Sequence, residues 1–463
     1  MALRRRGAAA LLGLGLALAG GPVAMGQGAE GPGFGRLEGH GGPVKGVAVA
    51  ADGRHALSAS FDTALGLWSL PDGRHLAWLD GHEAAANAVA FLPGGRALSV
   101  GDDFALILWD LASGAVLRRF EGHQGKIIDL AVSPDAASVA TAGWDGRIGL
   151  WSLDAAAPVR WLEGHSANVN DVVFSADGAR LYSASYDGTI RRWDLAEGTD
   201  TVLVGHGFGV NHLVVDEAAD WLAYGAVDGA VRVRSLAGGR EIADLTADRR
   251  PVLALAHDPA AGRLAVGDGE GHIMVIDTAD WSIERDFRAA TAGPIWALAW
   301  EPGTGRLLAG GIADEIALWP VRAEAGTVPA GALFADGPRA FHTDPAEMSN
   351  GERQFVRKCS ICHTLGPDGG RKAGPSLWGV FGRTAGGLAG YRYSEALERS
   401  DLVWSEESIG RLFRDGPDVV LPGTKMPIQR IAKAADRADL IAYLKERTGA
   451  AETATGQPRD GIE

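Results

Sequence analysis

Both cysteines of the 463-residue chain lie in one short segment, Cys359-Ser360-Ile361-Cys362-His363. Two thiols separated by two residues and followed by a histidine have the spacing that attaches a c-type haem, with the histidine as an axial iron ligand. We therefore expect one covalent haem c, bound through Cys359, Cys362 and His363. The alternatives are a structural disulfide, a zinc half-site and a redox-active dithiol. A zinc site would need two more ligands nearby, where only His342 is available, and a dithiol does not require the histidine.

The C-terminal part of the sequence also contains a candidate for the second axial ligand of the iron. After His363 the sequence contains no further histidine, and Met426 is its only methionine. Met348 lies eleven residues before Cys359 and is poorly placed to reach the opposite face of the haem. We therefore expect His363 and Met426 to bind the iron, a pairing that favours the reduced metal. The alternative is a five-coordinate iron, with Met426 as an ordinary core residue.

The charge of the chain is unevenly distributed. The formal net charge is −14, with 44 Lys and Arg against 58 Asp and Glu. Residues 342–447 hold 16 basic and 14 acidic residues, so the acidity lies almost entirely in the first 320 residues. A surface that binds nucleic acid needs an excess of Lys and Arg, so we expect no nucleic-acid partner.

Residues 1–26 have the three parts of a secretory signal peptide. Three arginines precede an apolar run over residues 8–19, and small residues before Gln27 form a cleavage site. The run is shorter than the ~20 residues that span a bilayer, although an uncleaved anchor is an alternative. No other stretch could cross a membrane, so we expect no span in the mature chain. Because bacterial c-type haem is attached after export, we expect the periplasm of a Gram-negative bacterium.

A Gly-His pair recurs every 41 or 42 residues, beginning at positions 39, 81, 122, 164 and 205. Each pair is followed by three short β-rich runs separated by turns. Trp68, Trp109, Trp151, Trp193 and Trp319 mark the ends of third runs, Arg234 and Ile276 occupy the same phase in two weaker repeats, and the sixth and seventh repeats lack the Gly-His pair. This pattern resembles the WD40 family, with seven repeats over residues 34–322. The resemblance implies an all-β seven-bladed propeller in which residues 34–38 complete the last blade.

The first four repeats each contain a histidine, a serine or threonine, an aspartate and a tryptophan at matching positions. The four sets are His40, Ser58, Asp62 and Trp68; His82, Ser99, Asp103 and Trp109; His123, Thr141, Asp145 and Trp151; and His165, Ser183, Asp187 and Trp193. A Ser-His-Asp triad is the catalytic alternative, but an active site does not need four copies. In the WD40 family such a set forms hydrogen bonds within one blade, and we expect the same here. The later repeats lose part of the pattern and should be less regular.

Beyond the repeats the composition changes. Residues 323–346 are rich in alanine, glycine and proline and are predicted to form a linker. Helical signals follow, so that we expect helices from Ser349 toward Cys359 and over residues 394–399, 406–414 and 435–447. The linker is thus followed by a helical domain over 347–447 and a disordered tail over 448–463.

Residues 350–447 resemble the class I cytochromes c, and within them the mitochondrial-like branch. The matching residues run in order along the chain: Gly351, Phe355, Gly374-Pro375, Leu377, Gly379, Phe381-Gly382-Arg383, Tyr391, Tyr393, Trp404, Pro422 to Met426, and Ala438 to Lys445. The resemblance implies an all-α domain. It also implies that the Pro375 carbonyl accepts the ring N–H of His363, and that haem propionates bind Arg383, Tyr393 and Trp404. Thr424, two residues before Met426, also matches the residue that the family has at this position.

The sequence also departs from that family. Leu397 and Phe413 stand where the family usually has asparagine and tyrosine near the methionine ligand, which predicts a drier and more rigid surface there. Asp418 and Val419 precede the methionine segment, and the lysine-rich rim of the mitochondrial proteins is missing. The docking mode of that family is therefore not expected here.

Three functions are compatible with the sequence. The first is a periplasmic electron carrier, not an enzyme, which contacts redox proteins through the haem edge and the propeller faces. The second is an oxidoreductase whose active site in the propeller passes electrons to the haem; the unrepeated His212, His257 and His272 are left unexplained by the blade pattern. The third is a redox sensor, for which the sequence offers no two-state element.

Overall fold

The computed structural model describes residues 35–153, 158–246, 250–290, 293–321 and 348–449, the last range without 361, 368–371, 392, 423, 425, 427 and 428. In this part of the chain, 28 strands form seven four-stranded antiparallel sheets. The expected seven-bladed propeller is confirmed. The predicted signal peptide and linker lie outside the described residues.

The first four blades follow the repeats. Blade 1 contains β2 Val44–Val49, β3 His55–Ser60, β4 Ala64–Ser69 and β5 His75–Asp80. Blade 2 contains β6 Ala86–Leu92, β7 Arg96–Gly101, β8 Leu106–Asp110 and β9 Val116–Phe120. Blade 3 contains β10 Ile127–Val132, β11 Ser138–Gly143, β12 Arg147–Ser152 and β13 Pro158–Glu163. Blade 4 contains β14 Val169–Phe174, β15 Arg180–Ser185, β16 Thr189–Asp194 and β17 Thr199–Gly205.

The last three blades have the same architecture despite their weaker sequence pattern. Blade 5 contains β18 Val210–Asp216, β19 Trp221–Ala226, β20 Val231–Ser235 and β21 Glu241–Asp244. Blade 6 contains β22 Val252–Asp258, β23 Arg263–Asp268, β24 His272–Asp277 and β25 Ile283–Arg288. Blade 7 contains β26 Ile295–Glu301, β27 Arg306–Gly311 and β28 Glu315–Pro320.

The N-terminal strand completes blade 7. β1 Gly35–Glu38 pairs antiparallel with β28, in a register that places Gly35 opposite Leu318 and Glu38 opposite Glu315. The prediction that residues 34–38 join the last blade is thus confirmed for the described residues of that segment. This pairing joins the N-terminal strand to the last blade and so closes the ring of blades.

The repeated polar residues form the expected hydrogen bonds. In blade 2 the Nδ1 of His82 lies 2.9 Å from Asp103 Oδ1, its Nε2 lies 2.7 Å from Ser99 Oγ, and the indole N–H of Trp109 donates to the same oxygen at 2.8 Å. Blades 1, 3 and 4 repeat this arrangement. The four sets are therefore structural networks, each tying a loop, a turn and two strands together. In blade 5 the set is altered, with Tyr224 contacting His206 at 3.3 Å.

The C-terminal domain contains five helices among its described residues. They are α1 Asn350–Lys358, α2 Glu395–Glu398, α3 Glu406–Asp415, α4 Pro417–Val420 and α5 Ala434–Arg447. Ser349 caps α1 by accepting the backbone N–H of Glu352 at 3.2 Å, at the predicted start of the helix. Irregular chain and an isolated bridge between Thr384 and Val403 separate the helices, so the all-α class stays a prediction.

Two details differ from the expectation for this domain. The helix α4 was not predicted, although Pro417 stands at its first position, where proline is favoured in helices. The predicted tail was placed from residue 448, but Thr448 is fully buried and its carbonyl accepts the N–H of Gly379 at 2.8 Å. The packed domain thus extends at least to Thr448, and 450–463 lie outside the described residues.

The first and last helices of the domain pack closely. A Cβ atom added at Gly351 in α1 would lie 2.2 Å from the carbonyl oxygen of Asp439 in α5, so that only glycine fits this crossing. Phe355 and Tyr443 meet across the same contact, with ring centroids 5.9 Å apart. The apolar core of the domain includes Phe355, Ile409, Leu412, Phe413 and Leu440.

Candidate haem-binding site

The Cys-x-x-Cys-His segment continues directly from α1. The backbone N–H of Cys359 donates to Phe355 at 2.8 Å, and the N–H groups of Cys362 and His363 donate to the carbonyl of Cys359 at 3.0 and 2.9 Å. Cys359, Cys362 and His363 therefore lie in one tight turn directly after α1. Both cysteines are free thiols, Cys359 being 4% exposed and Cys362 partly exposed.

The thiols lack the electrostatic setting of a reactive dithiol. Burial raises the pKa of Cys359 to about 12, and the nearby Cys362 adds to the shift. Burial also raises the pKa of Cys362. Redox-active dithiols generally have a lowered thiol pKa, because the thiolate is the attacking species. The segment therefore fits a structural attachment point better than a thioredoxin-like centre.

The imidazole of His363 is held in one orientation. Its Nδ1 lies 2.8 Å from the carbonyl oxygen of Pro375. A carbonyl oxygen can only accept, so Nδ1 carries the proton and Nε2 keeps the lone pair that a metal requires. Burial lowers the pKa of His363, which keeps the ring neutral at physiological pH. Gly374 packs against the ring, where a Cβ atom would lie 2.4 Å from Cε1.

Met426 belongs to the apolar core of the same domain. Its side chain is partly buried against the cluster that includes Phe355 and Phe413. Its backbone N–H donates to the hydroxyl of Thr424 at 3.2 Å, and Thr424 in turn donates its N–H to Leu421 at 3.0 Å. Met348, by contrast, is buried just before α1. His363 and Met426 as a pair of iron ligands stay a prediction.

Arg383 and Trp404 lie on adjacent segments. The backbone N–H of Trp404 donates to the carbonyl oxygen of Arg383 at 2.9 Å, next to the bridge between Thr384 and Val403. The guanidinium of Arg383 donates to the carbonyl oxygens of Ser376 at 2.7 Å and Trp378 at 3.0 Å. Arg383 therefore fixes the backbone just beyond Pro375, a role that sequence reasoning did not assign. Its predicted contact with a haem propionate is not tested by these bonds.

Tyr393 stands beside two hydroxyl groups that the sequence analysis did not assign to the site. Its ring packs edge-on against Tyr391, with centroids 4.8 Å apart, and the Tyr391 hydroxyl donates to Ala373. Burial raises the pKa of Tyr393, so the phenol stays protonated. The neighbouring Ser394 Oγ is buried and has no hydrogen-bond partner in the described part of the chain. A buried hydroxyl without a partner fits a site completed by a polar group of a ligand, such as a propionate.

The departures near Met426 are apolar in the structure as well. Phe413 is 4% exposed, and Leu397 packs partly buried against the same core. The missing asparagine and tyrosine are thus replaced by packing rather than by other polar groups. The drier and more rigid surface expected around Met426 stays a prediction.

Three of the propeller histidines outside the Gly-His pairs, His212, His257 and His272, lie in different strands and have different partners. His212 in β18 contacts Asp171 in β14 at 3.0 Å. His257 in β22 packs on the ring of Trp221, and burial lowers its pKa. His272 in β24 pairs with Asp286 at 3.6 Å. They do not converge, and among the described residues no group of three or more His, Cys, Asp or Glu is arranged to hold a metal ion.

The two regions of the chain match two known families. The family model described as "WD domain, G-beta repeat" matches residues 34–69, 73–110, 114–152 and 156–194, and the model described as "Cytochrome c" matches residues 348–448. Cytochrome c of Cannabis sativa is 43% identical over 104 residues, which are 22% of this chain and 93% of the relative. Cytochrome c of Gibberella zeae is 39% identical over 102 residues, or 22% and 95% of the two chains.

The closed propeller and the domain with the Cys-x-x-Cys-His turn define the class: a WD40-repeat protein with an electron-transfer domain. Through residues 348–448 the chain belongs to the cytochrome c family, whose members bind haem c. No helix among the described residues is long and apolar enough to cross a membrane.

Proposed function

We propose that this chain is a single-electron carrier with one haem c bound through Cys359 and Cys362, and with His363 and Met426 as axial ligands. The observation that carries the proposal is the 2.8 Å hydrogen bond from His363 Nδ1 to the carbonyl oxygen of Pro375, which leaves Nε2 unprotonated and able to bind a metal. The haem, when bound, supplies one-electron exchange between ferrous and ferric iron.

The residues of the chain perform the remaining tasks. Gly374 and Pro375 orient the imidazole, and a fixed, neutral ring is a good ligand because no reorganisation is needed on binding. The apolar core that includes Met426, Phe413 and Leu397 would shield the methionine sulfur from water when the haem is bound. The hydroxyls of Tyr393 and Ser394 supply donors for a propionate, which would satisfy the buried Ser394 Oγ.

We further propose that the carrier works in the periplasm and that the propeller docks it to a redox partner. The support for export is the signal-like segment 1–26 combined with a haem motif whose maturation follows export in bacteria. The support for docking is that a rigid closed propeller presents many loops. The histidines of the propeller are bound within or between blades rather than gathered in one pocket, so no observation favours a catalytic centre there.

The ligand set can be tested on protein produced in a host that attaches haem c. The wild-type protein should show a low-spin reduced spectrum and, when oxidised, the weak sulfur-to-iron charge-transfer band. Met426→Ala should lose that band and bind external imidazole, whereas Met348→Ala should retain it. A band that persists in Met426→Ala would overturn the proposed ligation.

A further inference from the structure

The propeller is unusual in its use of lysine. Residues 35–321 contain many arginines but only two lysines, Lys45 in β2 and Lys126 just before β10. These residues belong to blades 1 and 3, on either side of blade 2. Asp102, in the turn between β7 and β8 of blade 2, forms an ion pair with Lys126, and its charge also acts on Lys45.

The contacts around Asp102 leave one ammonium group without an anion. Lys126 Nζ forms an ion pair with Asp102 Oδ2, and the side-chain amide of Asn87 donates to Oδ1 at 2.9 Å. The Nζ of Lys45 lies 4.8 Å from the ring centroid of Trp296, a cation–π contact. Among the described residues, no hydrogen bond and no ion pair within 4 Å involves the ammonium group of Lys45.

Burial makes this arrangement costly for Lys45. Desolvation lowers the pKa of its amine, the charge of Asp102 opposes that shift, and the charge of Lys126 reinforces it. A partly desolvated cation is stabilised when an anion contacts it directly. The charges of Lys45, Lys126 and Asp102 sum to +1, so one added carboxylate would neutralise these three side chains.

Aromatic rings flank the two lysines. Trp296 stacks on Phe61, with ring centroids 6.0 Å apart, and Lys126 Nζ lies 5.6 Å from the ring centroid of Trp144. Trp144 is 44% exposed, and Tyr186, at the matching position of the next blade, is 59% exposed. Exposed aromatic groups beside charged ones are typical of surfaces that bind proteins.

We propose that Lys45, Lys126, Asp102, Trp296 and Trp144 form a binding site for an acidic peptide segment of a partner protein. We call these five residues the lysine-pair site. A glutamate or aspartate side chain of the partner binds between the two ammonium groups, and apolar residues beside it pack on the two indoles. Because the remainder of the propeller is acidic, it repels such a segment elsewhere and confines it to this site. The inference rests on the docking role proposed above.

The test uses the full-length haem-loaded protein and two fluorescein-labelled hexapeptides. One alternates phenylalanine with glutamate, and the other has glutamine in place of each glutamate. Fluorescence anisotropy should show at least about tenfold tighter binding of the glutamate peptide, weakened by added salt. Lys45→Met and Lys126→Met should each reduce that affinity about tenfold, whereas Arg74→Met, which removes an exposed charge elsewhere on blade 1, should not.

Three outcomes would overturn the inference. They are no binding of the glutamate peptide below a Kd of about 1 mM, equal binding of both peptides, and unchanged binding by the two lysine variants. Circular dichroism melts of the variants establish that each is folded. The protein that carries both Lys45→Met and Lys126→Met separates the two proposals. If a redox partner still binds the propeller of this double variant, the lysine-pair site is not the docking site, while the proposed docking function is retained.

Discussion

The ring of His363 is fixed by two neighbours, the carbonyl of Pro375 and the backbone of Gly374. Since a Cβ atom at Gly374 would lie 2.4 Å from Cε1 of the ring, Gly374→Ala must rotate or displace the imidazole. We expect this variant to accumulate little protein with covalent haem and to lose the low-spin spectrum. Gly366→Ala is the matched control, because a Cβ there meets nothing within 4 Å. Haem content per chain, measured by pyridine haemochrome, compares them; equal content in both variants would contradict the assigned role.

A second prediction at the residue scale concerns Asp129. Burial raises its pKa well above the ordinary value, and the adjacent Asp171 charge adds to the shift. A carboxyl group whose pKa is higher in the folded than in the unfolded protein makes its full contribution to the free energy of unfolding below the unfolded pKa of about 4. This contribution is lost as the pH rises through the folded-state pKa. Wild-type Tm should therefore fall over that interval, and Asp129→Asn should reduce the fall.

The measurement for Asp129 is the Tm of the propeller, followed by tryptophan fluorescence between pH 4 and neutrality. The exposed Asp72→Asn variant is the control and should follow the wild-type curve. His212 contacts Asp171 at 3.0 Å and is unchanged in both variants, so the wild type and the variants are compared in the same buffers. A curve for Asp129→Asn that coincides with the wild-type curve would show that Asp129 does not retain its proton.

At the scale of elements, the blade networks make a direct prediction. Ser99 Oγ accepts the indole N–H of Trp109 and contacts His82 Nε2, and all three side chains are buried. Ser99→Ala leaves two buried polar groups without a partner and should lower the free energy of unfolding by about 2–4 kcal/mol. Ser113→Ala, at an exposed turn, should change it by less than about 0.5 kcal/mol. Urea titration distinguishes them, and comparable losses would contradict the structural role of the network.

The crossing of α1 and α5 supplies a matched pair of glycine variants. Gly351→Ala would place a Cβ 2.2 Å from Asp439 O and should destabilise the C-terminal domain by about 1–3 kcal/mol. Gly410→Ala in α3, where the nearest atom is 3.6 Å away, should stabilise it by up to about 1 kcal/mol through helix propensity. Thermal loss of the haem absorption spectrum reports on this domain alone. Destabilisation of equal size in both would show that the crossing is not close-packed.

The regular elements were the most predictable part of the molecule, for a physical reason. Repeated polar sets fix loop, turn and strand positions at once, so three β-rich runs were expected after each Gly-His pair, and the fourth repeat forms them as β14, β15 and β16. The short α4 and the buried Thr448 were missed because their structure depends on packing. The contacts of His212 with Asp171 and of Lys45 with Trp296 join residues far apart in sequence, which only the closed propeller brings together.

For the whole molecule, export and haem attachment should be coupled. Deletion of residues 2–26 would keep the chain in the cytoplasm, away from periplasmic haem attachment. We expect that variant to accumulate without covalent haem, whereas the complete chain should be recovered with haem in the periplasmic fraction. Fractionation followed by haem staining of gels checks this. Haem-stained protein from the deletion variant in the cytoplasm would contradict the proposed location.

The central claim is that Cys359 and Cys362 carry one haem covalently, and intact-mass spectrometry of the denatured protein tests it most directly. Protein from a maturation-competent host should have the mass of the processed polypeptide plus one haem, and the Cys359→Ser, Cys362→Ser double variant should have the polypeptide mass alone. A wild-type protein at the bare polypeptide mass would contradict the account.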